Sequence, residues 1–454
     1  SEPTARARQP PRPTGRARGA AGRGGPRHTT SYCATPAAPR PRPTPDRRPN
    51  IVLVVVDTLA RDPLPFYGYA RDTAPFLSEL ARQGVVFERA YSTSTWTAPA
   101  TASIMTSMYP PQHGVTHGLM ATRRLQRQSE TVRLNRLPDQ AETLAETLLT
   151  GGYATFAVTE NVNISATLGF QQGFLRFRNL RKESGADALN RRLFNWTGQL
   201  RSTRPHFLYL HYLDPHEPYT PRAPWYDATQ TGQARQVSAY DSEISFVDQQ
   251  LRLAWERLGW ERDTLLVITA DHGESFGRKG FAGHGHTLFG EALDVPLLVV
   301  FPDRRQAGRR VTERVNHLDL APTLADFAGL PRRPQHEGRS LLPLLAGGAA
   351  PAPRTLFAHL HRRQPNGQEL ELCAVIAGDW KLIAGPGRAP QLYDLGSDPG
   401  ERRDLAPAQP ERVADLEQRW SAFLSGARRV AAQEQELELD AEARERLRAL
   451  GYVQ

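Results

Sequence analysis

Cysteine, methionine and lysine are almost missing from this 454-residue chain, which has two Cys, three Met and only Lys182, Lys279 and Lys381 among its lysines. Two thiols, Cys33 and Cys373, cannot build a disulfide framework or a thiolate metal cluster, and neither stands in a motif that would activate it. The shortage of lysine beside abundant arginine reads as a bias of composition and carries no chemistry. No run of 18 apolar residues occurs, so no transmembrane segment is expected. The first 30 residues also lack the apolar core of a signal peptide, and the residues themselves leave the compartment open.

Excess charge is missing from most of the chain as well. The net +9 is accounted for by residues 1–49, which hold eleven arginines against two acids; the remainder carries equal numbers of each sign. A neutral body argues against binding to a phosphate backbone, and no nucleic-acid partner is expected for it. The tail is rich in Arg, Pro and Gly with almost no large apolar residues. It cannot repay the entropy of ordering, and disorder is expected over 1–49.

From residue 50 onward the chain holds a set of buried-strand runs, the first three closing on an acid or imidazole: "NIVLVVVDT", "HFLYLHYLDPH" at 206–216, "TLLVITADHGE" at 264–274 and "VPLLVVFP" at 295–302. Continuous apolar runs of this length suit strands covered on both faces. Helical stretches such as "APFLSELARQG" and "LPDQAETLAETLLTGG" lie between them. The expected class is α/β, a mostly parallel central sheet flanked by helices, over 50–345. A polar linker at 346–354 then leads to a smaller α+β subdomain over 355–454. There "CAVIAGDWKLIAG" reads as a hairpin, "PERVADLEQRWSAFLSG" as a helix and "LELDAEARERLRALGYVQ" as a charged terminal helix.

Ligands of such sheets bind at the carboxyl ends of the strands, where Asp57, Asp214, His216, Asp271 and His272 stand. Asp57, Asp271 and His272 are hard oxygen ligands plus one imidazole, fit for one divalent cation, Ca²⁺, Mg²⁺, Mn²⁺ or Zn²⁺. The stretch "TWTAPATASIM" has two readings. Its hydroxyls cap a helix with Pro99 in the first turn, or one of them, Thr97, is a nucleophile activated at that cation. In "ITADHGESFGRKGFAGHGH", His284 follows in a glycine-rich loop able to wrap a small anion.

These motifs, together with "FYGYARDTAPFLSELARQGVVFERAYS", "WTAPATASIMTSMYPPQHGV", "HYLDPHEPY", "HLDLAPTLADFAGL" and "LYDLGSDPGERRDLA", resemble the sulfatase family of the alkaline phosphatase superfamily over nearly everything after residue 50. The resemblance implies that 50–345 is a catalytic domain acting on anionic esters, phosphate or sulfate, with a glycan or lipid as one form of the alcohol, in a periplasmic or extracellular setting. It makes Asp57, Asp271 and His272 metal ligands with the Thr97 oxygen completing the site, and makes Thr97, His216 and His284 the catalytic groups. His113, Lys279 and His286 stay open. Working sulfatases carry a Cys or Ser that is oxidised to formylglycine. Thr97 cannot be oxidised that way, and the Ser and Arg that follow the family's Pro are absent too. A plain threonine is the arrangement of the superfamily's phosphoryl-transfer branches, so phosphoryl ester chemistry through Thr97 is the favoured expectation. Sulfuric ester hydrolysis and non-catalytic binding of anionic glycans or lipids are the alternatives.

Overall fold

The computed structural model describes residues 48–116, 131–180, 185–348, 352–363, 368–430 and 433–438. The tail expected to be disordered, up to residue 47, and the terminal helix beyond 438 lie outside the described residues. Its first two residues, Leu437 and Glu438, belong instead to a strand, Gln433–Glu438, paired antiparallel with Thr131–Arg136.

A nine-stranded sheet forms the centre. Its strands are β1 (Asn50–Val56), β2 (Val85–Tyr91), β3 (Ala154–Thr159), β4 (Arg176–Asn179), β5 (His206–Tyr212), β6 (Thr264–Ala270), β7 (Asp294–Val295), β8 (Leu297–Val300) and β9 (Arg309–Asn316). They run in the order β7-β2-β8-β6-β1-β5-β3-β4, with β9 beside β2. From β6 to β4 every pairing is parallel, and β1, β5 and β6 are buried along their whole length, as their unbroken apolar runs require. β8 is a strand as its sequence implies, but it runs antiparallel to both β6 and β2. An apolar run without periodicity carries no information about direction.

Helices cover the sheet: α1 (Pro75–Gln83), α2 (Thr97–Thr106), α3 (Leu144–Thr150) and α4 (Gly232–Leu258) among them. α3 is shorter than the pattern from Leu137 suggests. Thr143 accepts from the Glu146 amide while the Glu146 carboxylate accepts from the Thr143 amide, a capping box that starts the helix late. α1 has no cap of its own, since Ala74 precedes Pro75. Asp248 of α4 supplies one instead, accepting from Phe76 N at 2.9 Å and Leu77 N at 2.7 Å. Asp248→Ala strands two buried helix N–H groups and should lower the unfolding free energy by about 2–3 kcal/mol, measured by urea denaturation.

The C-terminal part adds a four-stranded antiparallel sheet, β10 (Leu356–Arg363), β11 (Glu369–Ala377), β12 (Trp380–Ala384) and β13 (Gln391–Asp394), in that order. On it lies α5 (Pro410–Gly426), whose Val413 and Leu416 pack with Val375, Leu382 and Leu392. The hairpin and helix read from the sequence are both present.

Candidate active site

Four parallel neighbours, β6, β1, β5 and β3, end side by side, and each end gives way to polar residues. β6 runs into Asp271 and His272, β1 into Asp57, β5 into Asp214 and His216, and β3 into Glu160 and Asn161. Register pairs Val56 with Ala270, so Asp57 and Asp271 leave the sheet together.

Each of three side chains at this edge has one half anchored and the other half without a hydrogen-bond partner. Asp271 Oδ1 accepts from His272 N at 2.9 Å and Thr58 N at 3.2 Å, which leaves Oδ2 unpartnered. Asp57 Oδ2 accepts from Asn161 Nδ2 at 2.6 Å and His211 Nε2 at 3.1 Å, which leaves Oδ1. His272 Nδ1 donates to the Gly273 carbonyl at 3.0 Å, which leaves Nε2. That Nε2 lies 3.5 Å from Asp271 Oδ2 and 3.9 Å from Asp57 Oδ1, with all three residues inaccessible to solvent. Buried polar atoms without partners are costly. Two carboxylate oxygens and an imidazole lone pair at these spacings suit a shared divalent cation, with ligand distances of about 2.0–2.6 Å.

His211 also lies here, and its ring nitrogen falls within 4.8 Å of carboxylate oxygens of Asp57 and Asp271. Both of its nitrogens are engaged, however. Nε2 must carry a proton to donate to Asp57, so Nδ1 accepts from Tyr209 Oη at 2.9 Å. His211 therefore orients Asp57, while His272 has the lone pair to give. The protonation balance agrees with a cation pocket. Burial raises the Asp271 carboxyl and the Asp57 charge raises it further. Burial pushes Asp57 up too, but the His211 hydrogen bond and the surrounding imidazoles hold it well below the usual carboxylate range. Two like charges that cannot both be relaxed call for a positive partner.

Thr97 is almost wholly buried and is the first residue of α2. The position before it belongs to Trp96 and no side chain caps the helix, so Thr97 is not the capping hydroxyl its local sequence suggests. Its Oγ1 lies 3.3 Å from Asn161 Nδ2, the same amide that reaches Asp57. Asn161 Oδ1 accepts from Asn163 N at 2.8 Å, which fixes the amide with its NH₂ toward the site.

His216 and His284 form the opposite wall. His284 lies between the others, tilted against His272 with ring centroids 4.6 Å apart and edge-on to His216 at 4.9 Å. His216 Nδ1 donates to the Glu217 carbonyl at 2.5 Å. Burial lowers both imidazoles, His284 well below its ordinary value with help from His272, so both are neutral at pH 7. Beneath them sits Glu274, 1% exposed, with its carboxyl pushed up to about 7 by burial against the opposing pull of His216 and His272. The remaining candidates lie in other surroundings. Asp214 accepts from Ala186 N and Arg222. His113 meets Ser103 Oγ at 3.2 Å inside the core. Lys279 bonds the Glu401 carbonyl and lies over the Phe289 and Tyr393 rings. His286 is lowered to about 4 by burial and Arg362.

Sequence reasoning did not single out His211, Asn161 or Glu274. For His211 the signal was a histidine in an otherwise apolar and aromatic run. For Asn161 it was the same end-of-strand position that pointed to Asp57.

Residues 49–330 match the sulfatase family, and residues 283–424 match the C-terminal region of N-sulphoglucosamine sulphohydrolase. Choline-sulfatase of Rhizobium meliloti (strain 1021) is 26% identical over 430 residues, covering 79% of this chain and 82% of that protein. Steryl-sulfatase of Mus musculus is 24% identical over 522 residues, covering 84% and 81%. The phosphonate monoester hydrolase of Agrobacterium radiobacter has the same fold, with a TM-score of 0.69 at 20% identity over 83% of this chain and 96% of that one. With the family match spanning more than half of its length, and the mixed sheet and C-terminal antiparallel sheet in place, this chain belongs to the sulfatase family.

Proposed function

We propose that the chain is a metal-dependent hydrolase or transferase of anionic esters that works by phosphoryl transfer through the Thr97 hydroxyl. The observation that carries this reading is the buried threonine itself, which shares the Asn161 amide with Asp57, one of three side chains with an unpartnered ligand atom. A threonine cannot become the aldehyde on which sulfatase chemistry depends, yet it attacks phosphorus readily. A divalent ion bound by Asp57 Oδ1, Asp271 Oδ2 and His272 Nε2 would supply charge neutralisation and a lowered hydroxyl pKa.

The chain's own groups do the rest. Asn161 orients Thr97 Oγ1, and the N-terminus of α2 offers its positive end to the ester's anionic oxygens. His216 and His284 face those oxygens and the departing alkoxide. Thr97 Oγ1 gives its proton to a neutral imidazole, His216 or His284, and forms a bond to phosphorus as the bond to the alcohol breaks, and the departing alkoxide takes that proton; water or a second alcohol then gives its proton to the same imidazole as it displaces threonine, which recovers its hydroxyl proton.

Names among the relatives cover sulfate esters in two cases and phosphonate monoesters in a third. The purified chain should be tested on aryl phosphate monoesters, phosphodiesters, phosphonate monoesters and sulfates, each with Ca²⁺, Mg²⁺, Mn²⁺ and Zn²⁺. Turnover of phosphorus esters is expected. Turnover confined to sulfates would replace this reading with sulfuric ester hydrolysis, and tight binding without turnover would leave a binder of anionic glycans or lipids.

A further inference from the structure

We propose that the C-terminal sheet clamps the loop that carries His284: Arg362, Lys381 and Glu401 are positioning residues, which hold segment 277–290 so that His284 meets the ester. What that place means for catalysis rests on the reading of function above. The contacts that make the clamp do not.

The segment has little of its own to fix it. A two-residue hairpin pairs Ser275 with Gly283 and Phe276 with Ala282, antiparallel, so the next opposed positions are Glu274 and His284. Glycine stands at 277, 280, 283, 285 and 290, the first four at positive φ. Glycine makes those turns possible at a cost in chain entropy, so a segment this rich in it needs ties from outside to keep one conformation.

Three ties come from the C-terminal part. Lys279 bonds the Glu401 carbonyl and lies over the ring of Tyr393 on β13. Arg362 of β10 donates from Nη1 to the carbonyls of His284 at 3.3 Å and Gly285 at 3.2 Å. A Cβ at residue 285 would stand 2.6 Å from that nitrogen and push the guanidinium aside. At the far end of the segment, Glu401 Oε2 accepts from Gly290 N at 2.7 Å.

Glu401 is itself built in. It is 3% exposed, and its Oε1 pairs at 2.5 Å with Nζ of Lys381, a wholly buried residue of β12. Breaking such a pair leaves a charge alone away from water, so the carboxylate is held to one geometry. The Glu401 backbone lies at φ +53°, which is uncommon outside glycine. Asp398 fixes that turn: its carbonyl accepts from Glu401 N at 3.0 Å, and its carboxylate accepts from Arg402 N at 2.6 Å and Arg403 N at 2.8 Å. Strained backbone persists where the surroundings over-determine it. Here it secures the reach of the Glu401 side chain to Gly290, and this is the part that "LYDLGSDPGERRDLA" plays at the site.

Hydrogen exchange read by mass spectrometry on the full chain tests the clamp without turnover. Amides within 277–290 should exchange about 10-fold faster in Arg362→Ala and in Glu401→Gln than in the parent, with those of β1 and β6 unchanged. Arg362→Ala serves alone if Glu401→Gln, which breaks a buried ion pair, folds poorly. Asp248→Ala, which weakens the fold elsewhere, should not single out 277–290. Unchanged exchange in the segment, or a rise spread evenly over the chain, overturns the proposal. On aryl phosphorus esters, Arg362→Ala should lower kcat about 10–100-fold with KM within about twofold of the parent, because a small misplacement of a catalytic group is costly. Arg362→Lys keeps a donor for one of the two carbonyls and should recover part of the loss. A rise in KM with kcat unchanged would make Arg362 a substrate contact, and faster exchange with kcat unchanged would make the clamp irrelevant to catalysis; either result overturns the proposal. If the parent turns over no ester, the reading of function fails, and the exchange measurement still decides whether the C-terminal sheet holds the segment.

Discussion

Thr97→Ala lowers turnover at least about 10³-fold while the protein stays folded, the scale seen when other nucleophiles are deleted. The stability cost should be about 1 kcal/mol, since Thr97 does not cap α2 and only its contact with Asn161 is lost. Thr97→Ser keeps a hydroxyl on the same backbone atom and should retain activity on phosphorus esters. Thr101→Ala is the control. Among the described residues its hydroxyl neighbours only Tyr209 and does not reach Asp57 or Asn161, so its removal should leave the rate within a few-fold of the parent. Stopped turnover with denatured protein should trap phosphate on Thr97, visible by mass spectrometry. Undiminished turnover by Thr97→Ala would assign the chemistry to direct attack by water.

Asp271→Asn abolishes activity and, at the same time, the stabilisation of the fold by divalent ions. A cation that binds only the folded state adds about 2.7 kcal/mol at a free concentration one hundred times its Kd, read as a concentration-dependent rise in Tm. The parent should show that rise, lose activity in a chelator and recover it on addition of metal. The variant should show neither response. Without added ion it should be at least as stable as the parent, because Asn keeps the oxygen that accepts from Thr58 N and His272 N while removing one of two buried like charges. A carboxylate present only for packing would give the opposite result, a loss of stability that metal does not alter. His211→Phe offers a further check, since it removes the donor that orients Asp57 and should weaken cation affinity about 10–100-fold without removing a ligand.

Three strands at the heart of the sheet, β1, β5 and β6, and the polar residues that end them were legible in the sequence; β3 and the Asn161 that follows it were not. A strand buried on both faces has to be apolar throughout, so β1, β5 and β6 announce themselves, and a parallel sheet gathers the residues at their carboxyl ends. Asp57, Asp271 and His272 were legible for that reason, as was α5 from Pro410 to Gly426 through its apolar spacing and flanking breakers. The direction of β8, the cap that Asp248 places on α1 from 171 residues away, and the place of Thr97 as a first helical residue were not legible. Each depends on which surface a segment meets, and local propensity is silent on that. The same holds within the site. Residue types nominate His216, His272 and His284, but only the folded chain brings His211 to Asp57 with both nitrogens engaged, leaves His272 with Nε2 to offer, and sets Glu274 against His284 by a hairpin register. Sequence supplies the candidate ligands and the strands that carry them. Which atom of each remains available is decided by hydrogen bonds between residues far apart in the chain, and those exist only once the strands have paired.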